Sequence, residues 1–98
     1  MRIVFSSLAR QEIDDAVRYY ELQRPRLGAR FKEEVKKAAR RIAEYPEAWS
    51  IERGEVRKCL LHNFPYKLLY SMEEDHIFIV AVAHLHRQPD YWVGRDET

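Results

Sequence analysis

A chain of 98 residues has room for one domain, and a domain of that size buries roughly 60 to 68% of its unfolded surface, enough to fold alone. Apolar residues at 46% and charged residues at 34% describe an ordinary globule, and no run approaches the roughly 20 apolar residues that span a bilayer, which excludes a membrane-spanning role. The net charge of +1 gives the chain as a whole no strong pull on nucleic-acid phosphates.

The opening Met1-Arg2-Ile3-Val4-Phe5 turns polar at once and lacks the apolar core of a secretory signal, so a cytoplasmic protein is expected. The one cysteine, Cys59, can form no internal disulfide and no CxxC zinc spacing, and reads as a packing residue. Charge is unevenly spread. Residues 24 to 41 carry Arg24, Arg26, Arg30, Lys32, Lys36, Lys37, Arg40 and Arg41 against only Glu33 and Glu34, while the stretch after Met72 is acid-rich.

Ile3 and Phe5 alternate in a short strand-like opening, and Ser6 or Ser7 then offers a hydroxyl to cap a helix. In that helix Ala9, Ile13, Ala16, Val17 and Tyr20 step by three and four, which places them on one stripe. Pro25 forbids helix through Arg24, and Gly28 is close by, so Gln23 to Gly28 reads as the turn of a helical hairpin. The second helix puts Phe31, Val35, Ala38, Ile42 and Tyr45 on its stripe, and Pro46 stops it.

From Glu55 the texture becomes β-rich: Glu55 to Leu61, Tyr66 to Met72, and His76 to about Leu85 read as three strands. Glu73-Glu74-Asp75 is short enough to force an antiparallel hairpin. Residues 1–98 therefore form a single α+β domain, β-α-α-β-β-β, with an N-terminal strand and a two-helix hairpin on a small twisted antiparallel sheet. There are no internal repeats or linkers. The last strand, Ile77 to Ala83, is apolar at odd and even positions alike, so both of its faces need cover. Two helices can cover one face; the C-terminal tail, a second copy or a partner chain must shield the other. Arg95-Asp96-Glu97-Thr98 looks poorly held.

His84-x-His86 on a strand is a weak metal-binding signal with no carboxylate or cysteine at a matching spacing, so no metal is expected. The pairs Asp14-Asp15, Glu33-Glu34 and Glu73-Glu74 are adjacent in sequence and point apart, as solvated charges do. Gly28, Gly54 and Gly94 are too dispersed for a phosphate loop, and no serine sits in a nucleophile elbow. What remains is a cluster of cations and aromatics: Arg57, Lys58, Lys67, His84, His86, Arg87, Tyr91, Trp92 and Arg95. Metal-free RNA cleavage needs a base for the ribose 2′-hydroxyl, cations for the phosphate and an acid for the leaving oxygen, and these residue types can supply all three. The same residues serve equally as structure, with Tyr91 and Trp92 closing the sheet while Arg87 and Arg95 pair with nearby acids.

Tyr19-Tyr20, Phe31, Pro46, Val56-Arg57, the segment Phe64-Pro65-Tyr66-x-x-x-Tyr70, and the tail His84-x-x-Arg87-x-Pro89-x-Tyr91-Trp92-x-x-Arg95 together resemble the RelE/ParE toxin superfamily over nearly the whole chain. They resemble most its ParE-like branch, often labelled plasmid stabilisation proteins. The resemblance implies a helical hairpin on a twisted antiparallel sheet and the toxin role in a type II toxin-antitoxin pair. It also implies a cognate antitoxin laid over the toxin, operon repression in which operator DNA is reached only through the antitoxin, and no cofactor.

RelE-like members cleave mRNA in the ribosome, whereas ParE-like members poison DNA gyrase. Lys58, Lys67, Arg87 and Tyr91 fall roughly where nuclease residues would lie. The first of the three strands is nevertheless thin in cations, and the Arg-x-Pro-x-Tyr-Trp tail leans to the ParE side. Gyrase inhibition is the favoured expectation, with ribosome-dependent endoribonuclease activity or an inactive, purely regulatory member as alternatives. The target-facing candidates are Arg57, His84, His86, Arg87, Tyr91, Trp92 and Arg95.

Overall fold

In the computed structural model, which describes residues 1–95, the chain runs β1 (Arg2–Phe5), α1 (Ser7–Gln23), α2 (Leu27–Glu44), β2 (Ile51–Arg53), β3 (Val56–Leu60), β4 (Tyr66–Met72) and β5 (His76–His84). Helix α1 begins where a hydroxyl can cap it: Ser6 is extended and its Oγ accepts from the Ala9 amide at 2.9 Å. The predicted stripe faces the core, with Ala9 and Ala16 buried and Ile13, Val17 and Tyr20 packed against them.

The helical hairpin turns on Arg24-Pro25-Arg26 alone, tighter than the predicted Gln23 to Gly28, because Arg26 adopts a left-handed φ of 75°. No side chain of the turn caps α2. Glu21 does so from the end of α1: its Oε2 accepts from the Arg26 amide at 2.9 Å and its Oε1 from the Gly28 amide at 3.0 Å. One carboxylate thereby satisfies two orphan donors and faces the positive end of the helix dipole. Along α2, Phe31, Val35, Ala38 and Ile42 are buried as predicted. Tyr45 is not; it is exposed, because the residue before Pro46 is pushed out of helical geometry and leaves the stripe.

The sheet has five strands in the order β1-β5-β4-β3-β2. Two features differ from the predicted antiparallel arrangement. First, β1 runs parallel to β5, with Ile3 opposite Ile77 and Phe5 opposite Ile79. A strand apolar on both faces belongs inside a sheet, and β1 gives β5 its second neighbour. Second, Ile51–Arg53 forms an extra edge strand, turned back onto β3 through Gly54-Glu55 with Gly54 at φ 58°.

The main core lies between helices and sheet, where Phe31, Ile42, Leu68, Tyr70, Ile77 and Ile79 are fully buried. Tyr20, Phe31, Phe64 and Tyr66 form an edge-to-face and stacked aromatic group at one end of it. Strands β4 and β5 pair as Leu69 with Ala81 and then as Tyr70 with Ile79, so Val80 is the extra residue of a β-bulge. The bulge lets Val80 and Ala81 both join a second apolar cluster with Leu69 and Ala83 on the far face. Trp92 is buried in that cluster, with Tyr91 packed beside it. Of the possible shields for the second face of β5, the segment following the strand supplies it.

Gly28 is the contact point of the two helices. A Cβ there would lie 2.5 Å from the Val17 carbonyl oxygen. Alanine in place of a helical glycine ordinarily stabilises by about 1 kcal/mol; here overpacking against backbone costs about 1–3 kcal/mol and prevails. Gly28→Ala is expected to lower the urea unfolding midpoint, and a raised midpoint would show that the helices do not touch there.

Candidate functional site

The first surprise of the site is an acid. Glu12 follows Ala9 by three residues and precedes Ala16 by four, so it stands on the margin of the buried stripe of α1, beside β5. Strand β1 stops opposite Ile79, and the edge of β5 beyond that point has no strand partner. Side chains take over. The Ser6 amide donates to the Ile79 carbonyl at 3.0 Å, Ser6 Oγ to the Val80 carbonyl at 3.3 Å, and the Val82 amide donates to Glu12 Oε1 at 2.9 Å.

Three residues of the C-terminal segment converge on the same carboxylate. Arg95 binds it with both nitrogens, Nη1 to Oε1 at 3.2 Å and Nη2 to Oε2 at 3.1 Å, and its Nη1 also reaches the Val80 carbonyl at 3.2 Å. The Tyr91 hydroxyl donates to Glu12 Oε2 at 2.7 Å. Arg87 Nη1 stands 3.8 Å from Oε2, with its guanidinium 3.9 Å from the centre of the Tyr91 ring. Side-chain exposure is 13% for Glu12 and 15% for Arg95, so this is a partly desolvated network. Burial, and then the Glu12 bond and charge, drive the Tyr91 phenol well above its ordinary range against the opposing pull of Arg95 and Arg87.

A second, smaller network lies on the far face of the sheet. Glu52, placed by the unpredicted strand β2, accepts from Lys67 Nζ at 3.0 Å and stands 3.8 Å from Lys58 Nζ. Arg53 pairs with Asp90 at 2.8 Å and ties β2 to the C-terminal segment.

The predicted cluster is therefore only partly one site. Lys67, His84, Arg87, Tyr91 and Trp92 do line one concavity, but it holds about 20 Å³, room for about one water molecule. Arg57 is not part of it: it pairs opposite Tyr70 on the helix-facing side and donates to the Trp49 carbonyl at 2.6 Å. Lys58, opposite Leu69, faces the other way. His84 packs on Tyr66 and accepts the His86 amide through Nδ1 at 3.0 Å, while His86 lies past the end of β5 and is exposed. Trp92 is a core residue. Arg95, expected to be loose, is among the best anchored cations; Asp96, Glu97 and Thr98 lie outside the described residues. Among the described residues no three His, Cys, Asp or Glu side chains group to hold a metal, and no helix is long and apolar enough to cross a membrane.

Glu12→Gln leaves Arg95 without its counter-ion and is expected to destabilise the fold by about 3 kcal/mol, the low end for breaking a buried pair. An unchanged unfolding midpoint would show that the network carries no stability. Alkaline pH probes the tyrosines. Burial pushes Tyr70 up to about 12 against the lowering effect of Arg57, and Tyr91 is raised as well. Up to about pH 10, the ordinary tyrosine value, folded and unfolded chains both hold these protons and stability is complete. Above it the unfolded chain releases protons that the folded chain retains, so stability falls as pH rises. Denaturant titrations across that range are expected to show the fall, and Tyr91→Phe is expected to make it shallower.

Residues 3–89 match the family described as ParE toxin of type II toxin-antitoxin system, parDE, a match that ends before Tyr91, Trp92 and Arg95. No curated protein matches the sequence. A solved structure from P. aeruginosa, described as a chromosomal ParDE TA system, has the same fold: TM-score 0.76 over 86% of this chain and 95% of that one, at 14% identity. With nearly nine-tenths of its length matched, the chain belongs to the ParE toxin family of type II toxin-antitoxin systems.

Proposed function

We propose that this toxin acts by binding DNA gyrase in the cytoplasm, without cutting RNA, and that a cognate antitoxin neutralises it. The observation that carries this reading is that the candidate cations and the phenol of the C-terminal segment are tied to the chain's own carboxylates. The concavity in which Lys67, Arg87 and Tyr91 meet holds only about 20 Å³, and the larger one beside it, about 170 Å³, is shared by Arg87 and His84 but not by Lys67 or Tyr91. The Tyr91 proton is held by Glu12, and the phenol is moved up, away from the neutral range in which a general acid works best. Lys67 is paired with Glu52, and Arg95 with Glu12. A nuclease needs its cations and its acid free to meet the substrate; these are engaged with the chain's own carboxylates.

A toxin that works by contact needs a surface instead. His86 and Arg87 are exposed at the end of β5, beside the exposed apolar side chain Leu85. An arginine flanked by apolar area is a common anchor of protein interfaces.

Purified protein is expected to inhibit gyrase supercoiling while transcripts on translating ribosomes stay intact. Arg87→Ala is expected to weaken inhibition about tenfold, the effect of losing one interface anchor. Supercoiling unaffected at any toxin concentration contradicts the reading. Codon-phased cleavage that disappears in Arg87→Ala or Tyr91→Phe establishes the endoribonuclease instead, and normal growth on expression without antitoxin establishes an inactive member.

A further inference from the structure

The charge segregation seen in the sequence gains a geometry in the fold. Eight of the 17 Lys and Arg but only two of the 16 Asp and Glu fall between residues 24 and 41, so that stretch is +6 and the remaining 80 residues are −5. Helix α2 occupies most of it. Its 18 residues make a helix about 27 Å long, with one face on the core and the other in water. Lys32, Lys36 and Arg40 follow one another at four-residue steps on the exposed face, about 6 Å apart. Lys37 stands beside them.

Like charges at four-residue spacing destabilise a helix. The compensation on this face is thin. Arg40 stands 3.5 Å from Glu33 and Lys37 stands 3.9 Å from Glu34, at the limit of an ion pair. Among the described residues no carboxylate pairs with Arg30, Lys32 or Lys36. A self-repelling row of cations on an otherwise acidic molecule is relieved by a polyanion laid along it.

We infer that the outer face of α2 binds duplex DNA through the phosphate backbone. The face itself selects that class of polyanion. Single-stranded nucleic acids are held by several stacking aromatics in a row; the only aromatic residue within α2, Phe31, is buried, and the exposed Tyr45 at its C-terminal end stands alone. Anionic membranes are held by cations combined with inserting Leu, Phe or Trp, and the exposed positions of α2 offer nothing apolar larger than alanine. A row of cations without a series of stacking or inserting groups suits a rigid double helix, whose charges follow one another every 3.4 Å along each strand. The C-terminal segment packs on the opposite face of the sheet, so DNA on α2 leaves the Arg87 surface open. Direct contact departs from the expectation that the family reaches DNA only through its antitoxin, and it stands independently of the gyrase reading.

The test is fluorescence anisotropy of the full chain with a labelled random-sequence duplex two helical turns long, across a salt series. With three to four phosphates neutralised, affinity is expected to fall about 40- to 150-fold between about 50 and 200 mM salt. Lys32→Gln, Lys36→Gln and Arg40→Gln combined are expected to weaken binding at least about tenfold and to flatten the salt slope. A control with the same charge loss elsewhere, Arg2→Gln, Arg10→Gln and Arg18→Gln combined, is expected to stay within about threefold of the parent. Circular dichroism checks that both fold. No binding at low salt, equal losses in the two variants, or tighter binding to single-stranded RNA or to phosphatidylserine vesicles overturns the inference.

Discussion

A strand that runs past its neighbour leaves backbone groups that something must satisfy. β5 has nine residues, and its parallel partner β1 covers only the first four of them. The stretch beyond Ile79, which has no strand partner on that side, is apolar on both faces, and left open it would be an aggregation-prone edge. The chain closes it with side chains: Ser6 and Arg95 on the Val80 carbonyl and Glu12 on the Val82 amide. Because Glu12 carries a charge into a partly dry place, it must be paired and hydrogen-bonded, and from the far end of the chain Arg95 supplies the counter-charge and Tyr91 a hydrogen bond. Those two contacts hold down the segment that buries Trp92 against the second face of β5.

The same economy runs through the cations and the phenol that stand out in the sequence. Most have an internal partner: Lys67 has Glu52, Tyr91 and Arg95 have Glu12, and Arg57 has the Trp49 carbonyl. A buried pair of this kind adds little net stability over an apolar substitute and costs much when one partner is removed. Its effect is positional. It fixes where the segment after β5 lies and so holds Arg87 and its neighbours in one arrangement.

Much of the fold was legible in the sequence because its signals are periodic. Steps of three and four in α1 and α2, the proline stops at Pro25 and Pro46, and the two-sided apolar run of β5 all correspond to what is observed. Signals that need length or distance were not legible. β2 is three residues long, too short to alternate, and only Gly54-Glu55 hinted at a hairpin. Nothing local distinguishes a parallel from an antiparallel partner for β1.

The site was legible in composition and not in role. Arg87, Tyr91, Trp92 and Arg95 stand out as a cluster, and the reading in which they close the sheet and pair with acids describes their geometry. Glu12 was overlooked because one acid in a helix with Asp14, Asp15 and Glu21 reads as solvated. Its flanking alanines, which leave room for a carboxylate to reach the sheet, were the available clue.

The central claim is that Glu12 and the C-terminal segment form one energetic unit closing the edge of β5. A double-mutant cycle on Glu12→Gln and Arg95→Gln measures this directly by urea unfolding. Coupling of about 2 kcal/mol between the two sites is the expected result. Effects that add to within about 0.5 kcal/mol would contradict it.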